Sequence, residues 1–344
     1  MKFWDREREI KDLKRYLQSE PNAILFVYGP KSSGKSTLLS HVIQQMKREK
    51  KTMFLKKYRV YWFDLRGKFL LNYERVVDLF FSKKVGKRKE SEVQVSDPIF
   101  KSFRVSRRVY EEIMSREMDP FEYMEEEIER SGKKAVIVFD EIQRLKEIYI
   151  NGQREVVSEL FNFFVRVTKV LHLAHVLVMT SDTFFIEEVY SSSALKNTSE
   201  YYLVDYFDDE TALKVLIDEG LSEEDARYAV EWIGGVPWMM ERVLSNGDVK
   251  QKIKELYKQH KARLREFLGK MYEEGGKELQ DRVKGVLRKM VEGSRVNVEG
   301  EDRSVVKRLI GAEVLFYDPL EGDVKFQTKL DERVAREIVK PARG

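Results

Sequence analysis

Over the first 200 residues, uninterrupted apolar runs alternate with stretches of helical periodicity. AILFVYG at 23–29, RVYWFDLRG at 59–67, KAVIVFDE at 134–141 and AHVLVMTSD at 174–182 have the character of strands buried on both faces of a parallel sheet. Between them, DREREIKDLKRYLQS at 5–19 sets Ile10, Leu13 and Leu17 at helical spacing behind Asp5, a candidate N-cap, and REVVSELFNFFVRVTKVL at 154–171 reads as a core helix. This alternation predicts an α/β fold built on a doubly wound parallel sheet. The segment from Gly67 to Ser131 is too long for one connection and predicts an insertion with structure of its own at about 68–131.

Beyond Tyr202 the strand signal fades and capped helical segments follow at 208–220, 222–235 and about 249–269. The last 70 residues read as a helix at about 278–291, a short helix at about 302–310, and two strands in AEVLFYDPLEGDVKFQT around a turn at Asp318 to Gly322. Helix, helix and hairpin together suggest a winged-helix module. The expected division is an α/β domain at 1–205, a helical lid at 206–272 and a winged helix at 273–344.

Composition narrows the function classes. Charged residues make up 35% of the 344, yet the hydrophobic share of 42% suffices for packed cores. No apolar run is long enough to span a bilayer and MKFWDREREI lacks an apolar signal region, so a cytoplasmic protein without a membrane partner is expected. The chain has no cysteine and four scattered histidines, which excludes disulfides, thiolate metal sites and a cysteine nucleophile. Abundant Lys, Glu and Arg without cysteine also fit a thermophilic source. The formal +4 is unevenly spread: 23 Lys/Arg face 17 Asp/Glu from residue 250 onward, leaving 40 against 42 before it.

Gly29, Pro30, Lys31, Ser32, Ser33, Gly34, Lys35, Ser36 and Thr37 satisfy the phosphate-loop spacing, in the expected place between a strand and a helix. The glycines let successive backbone N–H groups turn inward around a β-phosphate, and the following helix adds its N-terminal dipole. Lys35 is the point charge for the β- and γ-phosphates, and Ser36 a Mg²⁺ ligand. The run Ala135 to Glu141 ends in two carboxylates: Asp140 is expected to hold Mg²⁺ through water and Glu141 to act as general base toward the attacking water. Thr180, Ser181 and Asp182, at the end of the fourth strand, are the candidates for sensing the γ-phosphate, with a plain turn or helix cap as the alternative. Gln143 either faces the γ-phosphate or caps a surface.

With these residues in place, the chain resembles the archaeal P-loop ATPases of the STAND class, relatives of AAA+ proteins and of replication initiators. Four passages carry the likeness: Phe3 to Glu9, the phosphate loop, Phe139 to Leu145, and Gly234-Gly235-Val236-Pro237. The resemblance implies ATP or ADP with Mg²⁺, held between core and lid, with Arg6 and Pro237 near the adenosine. It implies an ATP-hydrolysing molecular switch. The sequence departs from AAA+ practice in having no arginine between Asp182 and Tyr206, where Lys196 is the one cation, so the source of an arginine finger is open; Arg242 is a candidate lid sensor.

The other reading is a nucleic-acid-binding regulator with a structural nucleotide and little hydrolysis. Arg303, Lys307 and Arg308 are the candidate DNA contacts of the winged helix. The basic stretch Lys83 to Arg108, with Phe100 and Phe103 interleaved, is a candidate grip for nucleic acid or a protein partner, or a solvated insertion.

Overall fold

In the computed structural model the described residues are 4–49, 53–68, 72–83, 99–100, 102–146, 148–150, 154–191, 195–245, 247–296, 298–300 and 302–340. They form two compact units, one of Arg6–Tyr28 with Lys35–Val204, the other of Asp205–Gly344 with Met1–Asp5 and Gly29–Gly34.

The first unit is a parallel α/β sheet, as the alternation predicts. Its strands are β1 (Ile24–Tyr28), β2 (Tyr58–Asp64), β3 (Ile99–Phe100), β4 (Lys134–Asp140), β5 (Ala174–Thr180) and β6 (Ser199–Leu203). They lie in the order β6-β1-β5-β4-β2-β3, every neighbouring pair parallel. Every residue of β1 and β5 is buried, the reason those segments read as continuous apolar runs. β6, SEYYL, has no buried residue: it is an edge strand, and its polar, half-exposed character hides it from a search for apolar runs.

Rings hold the sheet's carboxyl end in place. Phe139 lies 5.0 Å from both Phe63 on β2 and Phe164 on the helix Val156–Val165, which fixes the strand one residue before Asp140. That helix ends in a wider π turn, Arg166–Val170, so the expected 154–171 helix is not uniform. Helix α1 is Glu7–Gln18 and α2 Lys35–Glu49. The N-cap of α1 is Arg6 rather than the expected Asp5, whose φ of 32° takes it out of capping geometry.

The insertion has secondary structure of its own and packs its apolar residues into the core of the sheet. The helix Tyr73–Phe80 is capped by Asn72, and the strand Phe81–Lys83 pairs in parallel with Phe103–Val105. Helices Arg107–Met114 and Pro120–Arg130 follow, capped by Ser106 and Asp119. Phe103 is buried and stacks on Tyr61 at 4.1 Å, so it is core and not a grip for nucleic acid. Residues 84–98 of the basic stretch lie outside the described residues, as does the side chain of Phe100.

At the amino end of β5, His175 is fully buried against Tyr16 and Tyr58, with ring centroids at 5.1 and 5.8 Å. Burial, with Lys134 nearby, pushes its imidazole down to about 4. Between about pH 6.5 and 4 the unfolded chain therefore binds a proton that the folded chain refuses. Stability is expected to fall as pH drops through that window, by about 3 kcal/mol at its lower end. Thermal unfolding of wild type and His175→Leu at pH 7.5 and 4.5 checks this: the substitution should remove most of that acid loss.

In the second unit, helices α3 (Asp209–Asp218), α4 (Glu223–Ile233) and α5 (Pro237–Leu244) share an apolar core with the start of α6 (Val249–Val291). α6 is broken by non-helical backbone at Gly275 and Gly276, so the two expected helices are present and the first runs past 269. α7 (Arg303–Gly311), the antiparallel hairpin Leu315–Asp318 with Asp323–Phe326, and α8 (Lys329–Val339) complete the chain. Gly235 forms a backbone bridge to Phe207, so close that a Cβ there would sit 2.1 Å from the Phe207 carbonyl oxygen. Gly235→Ala is expected to cost this unit about 1–3 kcal/mol through forced backbone displacement, measurable by denaturant unfolding.

Candidate nucleotide site

Backbone geometry builds the phosphate loop. Gly29, Ser32 and Gly34 have φ of 149°, 59° and 92°, the left-handed region that lets consecutive N–H groups converge. No atom lies within 4 Å of where a Gly34 Cβ would stand, so the glycine is required by conformation and not by crowding. The Lys31 carbonyl accepts from Tyr206 Oη at 2.9 Å, and the Lys31 ammonium pairs with Glu313, both inside the second compact unit. α2 opens at Lys35 with no acidic residue in its own first turn, so the negative charge at its positive end comes from outside the helix.

Lys35 and Asp140 are both buried. Burial pushes the Lys35 ammonium down to about 8, against the opposing pull of the Glu141 and Asp140 carboxylates. Asp140 Oδ2 accepts from Ser36 Oγ at 2.7 Å and forms an ion pair with Arg66 Nη2 at 2.9 Å. Its carboxyl is held above the usual range by burial, a shift that the Ser36 hydroxyl and the Arg66 charge oppose.

Glu141 follows β4 with left-handed φ and ψ of 63° and 46°, an uncommon conformation for a residue with a side chain and one that recurs at functional sites. Its carboxylate accepts from Gln143 Nε2 at 2.5 Å and from Ser181 Oγ at 3.3 Å. Thr180 Oγ1 donates to Gln143 Oε1 at 2.9 Å. These four side chains form one network that fixes the direction of Glu141, and Gln143 is part of it rather than a surface cap. Asp182 behaves differently: its Oδ1 accepts from Phe185 N at 3.1 Å, capping the helix Thr183–Ser191.

Arg6 is buried and pairs with Glu9 at 2.6 Å. Pro237 occupies the first turn of α5, where its missing N–H is not needed. Arg242 donates to Gln259 Oε1 at 3.2 Å. Sequence reasoning missed Arg66, which follows β2 in an ordinary-looking Leu-Arg-Gly turn; the strand register that sets Asp64 opposite Asp140 is what brings it to the acidic pair.

The donor set at the sheet edge fits Mg²⁺. Ser36 and Asp140 offer hard oxygens already in contact, and among the described residues no cluster of three or more His, Cys, Asp or Glu forms an all-protein cage. Mg²⁺ characteristically takes one or two carboxylates and completes its shell with water and substrate phosphates.

Residues 3–243 match the family described as "ATPase domain predominantly from Archaea". The chain belongs to this archaeal ATPase family. Its ATPase domain is of the ATP-binding, P-loop kind, and residues 250–339 match the C-terminal domain of "Uncharacterized ATP-binding protein MJ1010-like" proteins. This archaeal ATPase is 36% identical to the uncharacterized ATP-binding protein MJ1006 of Methanocaldococcus jannaschii over 94% of the chain and 91% of the relative. It is 31% identical to a similarly described protein of Pyrococcus abyssi, PYRAB06260, over 98% and 99%. Among solved structures it is similar to the Walker-type ATPase paby2304 of P. abyssi, with a TM-score of 0.62 at 16% identity over 97% and 96% of the two chains. It is also similar to the Aeropyrum pernix ORC2 protein, with 0.51 at 11% over 97% and 93%. These two likenesses show the P-loop NTPase fold. No helix among the described residues of the ATPase is long and apolar enough to cross a membrane.

Proposed function

We propose that this archaeal ATPase is a Mg²⁺-dependent ATP hydrolase that works as a nucleotide-driven switch of the STAND or AAA+-like kind. The observation that carries the reading is the Glu141 carboxylate, held by Gln143 and Ser181 on the strand that also delivers the buried Asp140. A protein that only stores nucleotide has no need of a second carboxylate fixed in direction by three neighbouring side chains.

In this reading Lys35 neutralises the β- and γ-phosphates, and Ser36 and Asp140 hold Mg²⁺, whose chemistry is to offset charge on the phosphoryl oxygens. Glu141 takes the proton of the attacking water, while Thr180 and Ser181 tie its orientation to the end of β5. The adenosine roles of Arg6 and Pro237 rest on the family resemblance alone. So does the assignment to a STAND-class switch, whereas the division into a lid at 206–272 and a winged helix at 273–344 rests on the run of capped helices followed by helix, helix and hairpin. The test is phosphate release from ATP with and without Mg²⁺, paired with calorimetric titration of ATP, ADP and GTP. Turnover that ignores Mg²⁺, or none at all, sinks the enzymatic reading.

Duplex DNA is the second reading. α7 buries Val305, Val306 and Leu309 and leaves Lys307 and Arg308 exposed, but the Arg308 guanidinium already pairs with Glu274. Titrations at two salt concentrations decide it: phosphate-driven binding must weaken as salt rises, and absence of binding at low salt removes DNA as a partner.

A further inference from the structure

Arg66 lies beside the acidic pair, and its placement is highly constrained for a side chain 54% exposed to solvent. Asp64 grips it at two points, Nε to Oδ1 at 3.0 Å and Nη2 to Oδ2 at 3.1 Å, and the Asp64 carboxylate also accepts from the Arg66 backbone N–H at 2.9 Å. Strand pairing continues one residue past β2, with Leu65 N donating to Asp140 O at 3.1 Å, so the turn bearing Arg66 is anchored directly to the metal-ligand strand. From this base the guanidinium reaches Asp140 Oδ2 at 2.9 Å, the same oxygen that accepts from Ser36.

Physical chemistry assigns this contact a purpose. The Asp140 side chain is 2% exposed, and a carboxylate taken out of water needs a counter-charge. Mg²⁺ can supply that charge only when present; otherwise Arg66 supplies it by direct contact, with the buried Lys35 adding positive charge nearby. A metal held at Asp140 would bring a second cation close to the carboxylate that Arg66 already pairs with, and like charges brought close together repel. Nη2 touches both carboxylates, so releasing Asp140 must shift it, while Nε and the Arg66 backbone N–H can still hold Asp64 Oδ1 and keep Arg66 at the site.

We propose that Arg66 is the resident counter-ion of Asp140, displaced when the metal–nucleotide complex binds, and that this competition makes metal capture depend on the nucleotide. The proposal rests on the Mg²⁺–ATP reading of the site. It makes Arg66 a positioning residue, acting on the metal through Asp140. The displacement has an outlet along the chain: two residues on, the Lys68 carbonyl accepts from Arg144 Nη2 at 3.0 Å, joining this turn to the one that carries Gln143.

Removing Arg66 frees Asp140 for metal and at the same time strips positive charge from the site. Arg66→Gln is therefore expected to strengthen Mn²⁺ binding in the absence of nucleotide, read by electron paramagnetic resonance, by about tenfold. The same variant should weaken ATP binding in EDTA, read by fluorescence of a labelled ATP. Together these raise the ratio of the metal-free to the metal-loaded ATP dissociation constant by about tenfold or more. A merely structural residue would weaken both binding modes together. Arg66→Lys, which keeps the charge but loses the fork, should return part of the ratio. Asp64→Asn, which loosens the fork and leaves Arg66 in place, should shift the ratio the same way by less, and it carries the test if Arg66→Gln fails to fold.

A ratio unchanged within twofold in these variants, with unchanged Mn²⁺ affinity, overturns the proposal. If the wild type binds metal-loaded ATP but does not turn it over, hydrolysis falls while the ratio still decides on Arg66. Failure of the wild type to bind ATP under either condition overturns both.

Discussion

Glu141→Gln is expected to lower phosphate release from ATP by about 10²- to 10⁴-fold, the range over which a positioned general base contributes, while ATP affinity stays within about threefold. The amide is nearly isosteric with the carboxylate, and with its oxygen at the Oε2 position it still accepts from Gln143 and lies 3.5 Å from Ser181 Oγ, so the orientation is kept and the proton acceptor is lost. Single-turnover phosphate release and equilibrium titration on the same preparation separate the two effects. A variant that hydrolyses as fast as the wild type would assign the base elsewhere, and a parallel loss of binding would make Glu141 a structural residue.

Lys35→Ala should act on the other quantity. Lys35 is a buried cation placed against two carboxylates, and alanine removes the charge meant for the phosphates while leaving Asp140 and Glu141 facing them. Loss of one partner from a buried charge-assisted contact is worth about 2–5 kcal/mol, so ATP affinity should drop by about 10²-fold, detectable by calorimetry. ADP should suffer comparably, because the β-phosphate remains in the lost contact. Retention of near-wild-type affinity for both would remove Lys35 from the phosphate site.

Much of this site is legible in the chain because its chemistry is local. The phosphate loop lies within nine consecutive residues, and Asp140 with Glu141 ends an apolar run that cannot be mistaken for surface. Thr180 and Ser181 follow from the same logic, since a parallel sheet brings the carboxyl ends of its strands to one edge. What escapes is what depends on register. Arg66 meets Asp140 across 74 positions of sequence, and nothing in Leu-Arg-Gly announces it. Gln143 reads equally as a cap until its contacts to Glu141 and Thr180 are seen. β6 hides because an edge strand need not be apolar, and Phe103 misleads because a buried ring inside a basic stretch resembles an aromatic grip.

The break at Gly275 and Gly276 divides one long helix into two arms joined by a two-residue bend, across which Gln280 Nε2 donates to the Leu268 carbonyl at 3.0 Å. Gly276, at φ 65° and ψ −163°, sits in a region of backbone space that essentially only glycine enters, so the bend is written into the residue type. The arm beyond it, to Val291, is about 22 Å long at 1.5 Å per residue. A rotation of only about 10° at the bend therefore carries its far end about 4 Å, more than half a helical turn, while every hydrogen bond within the arm stays intact.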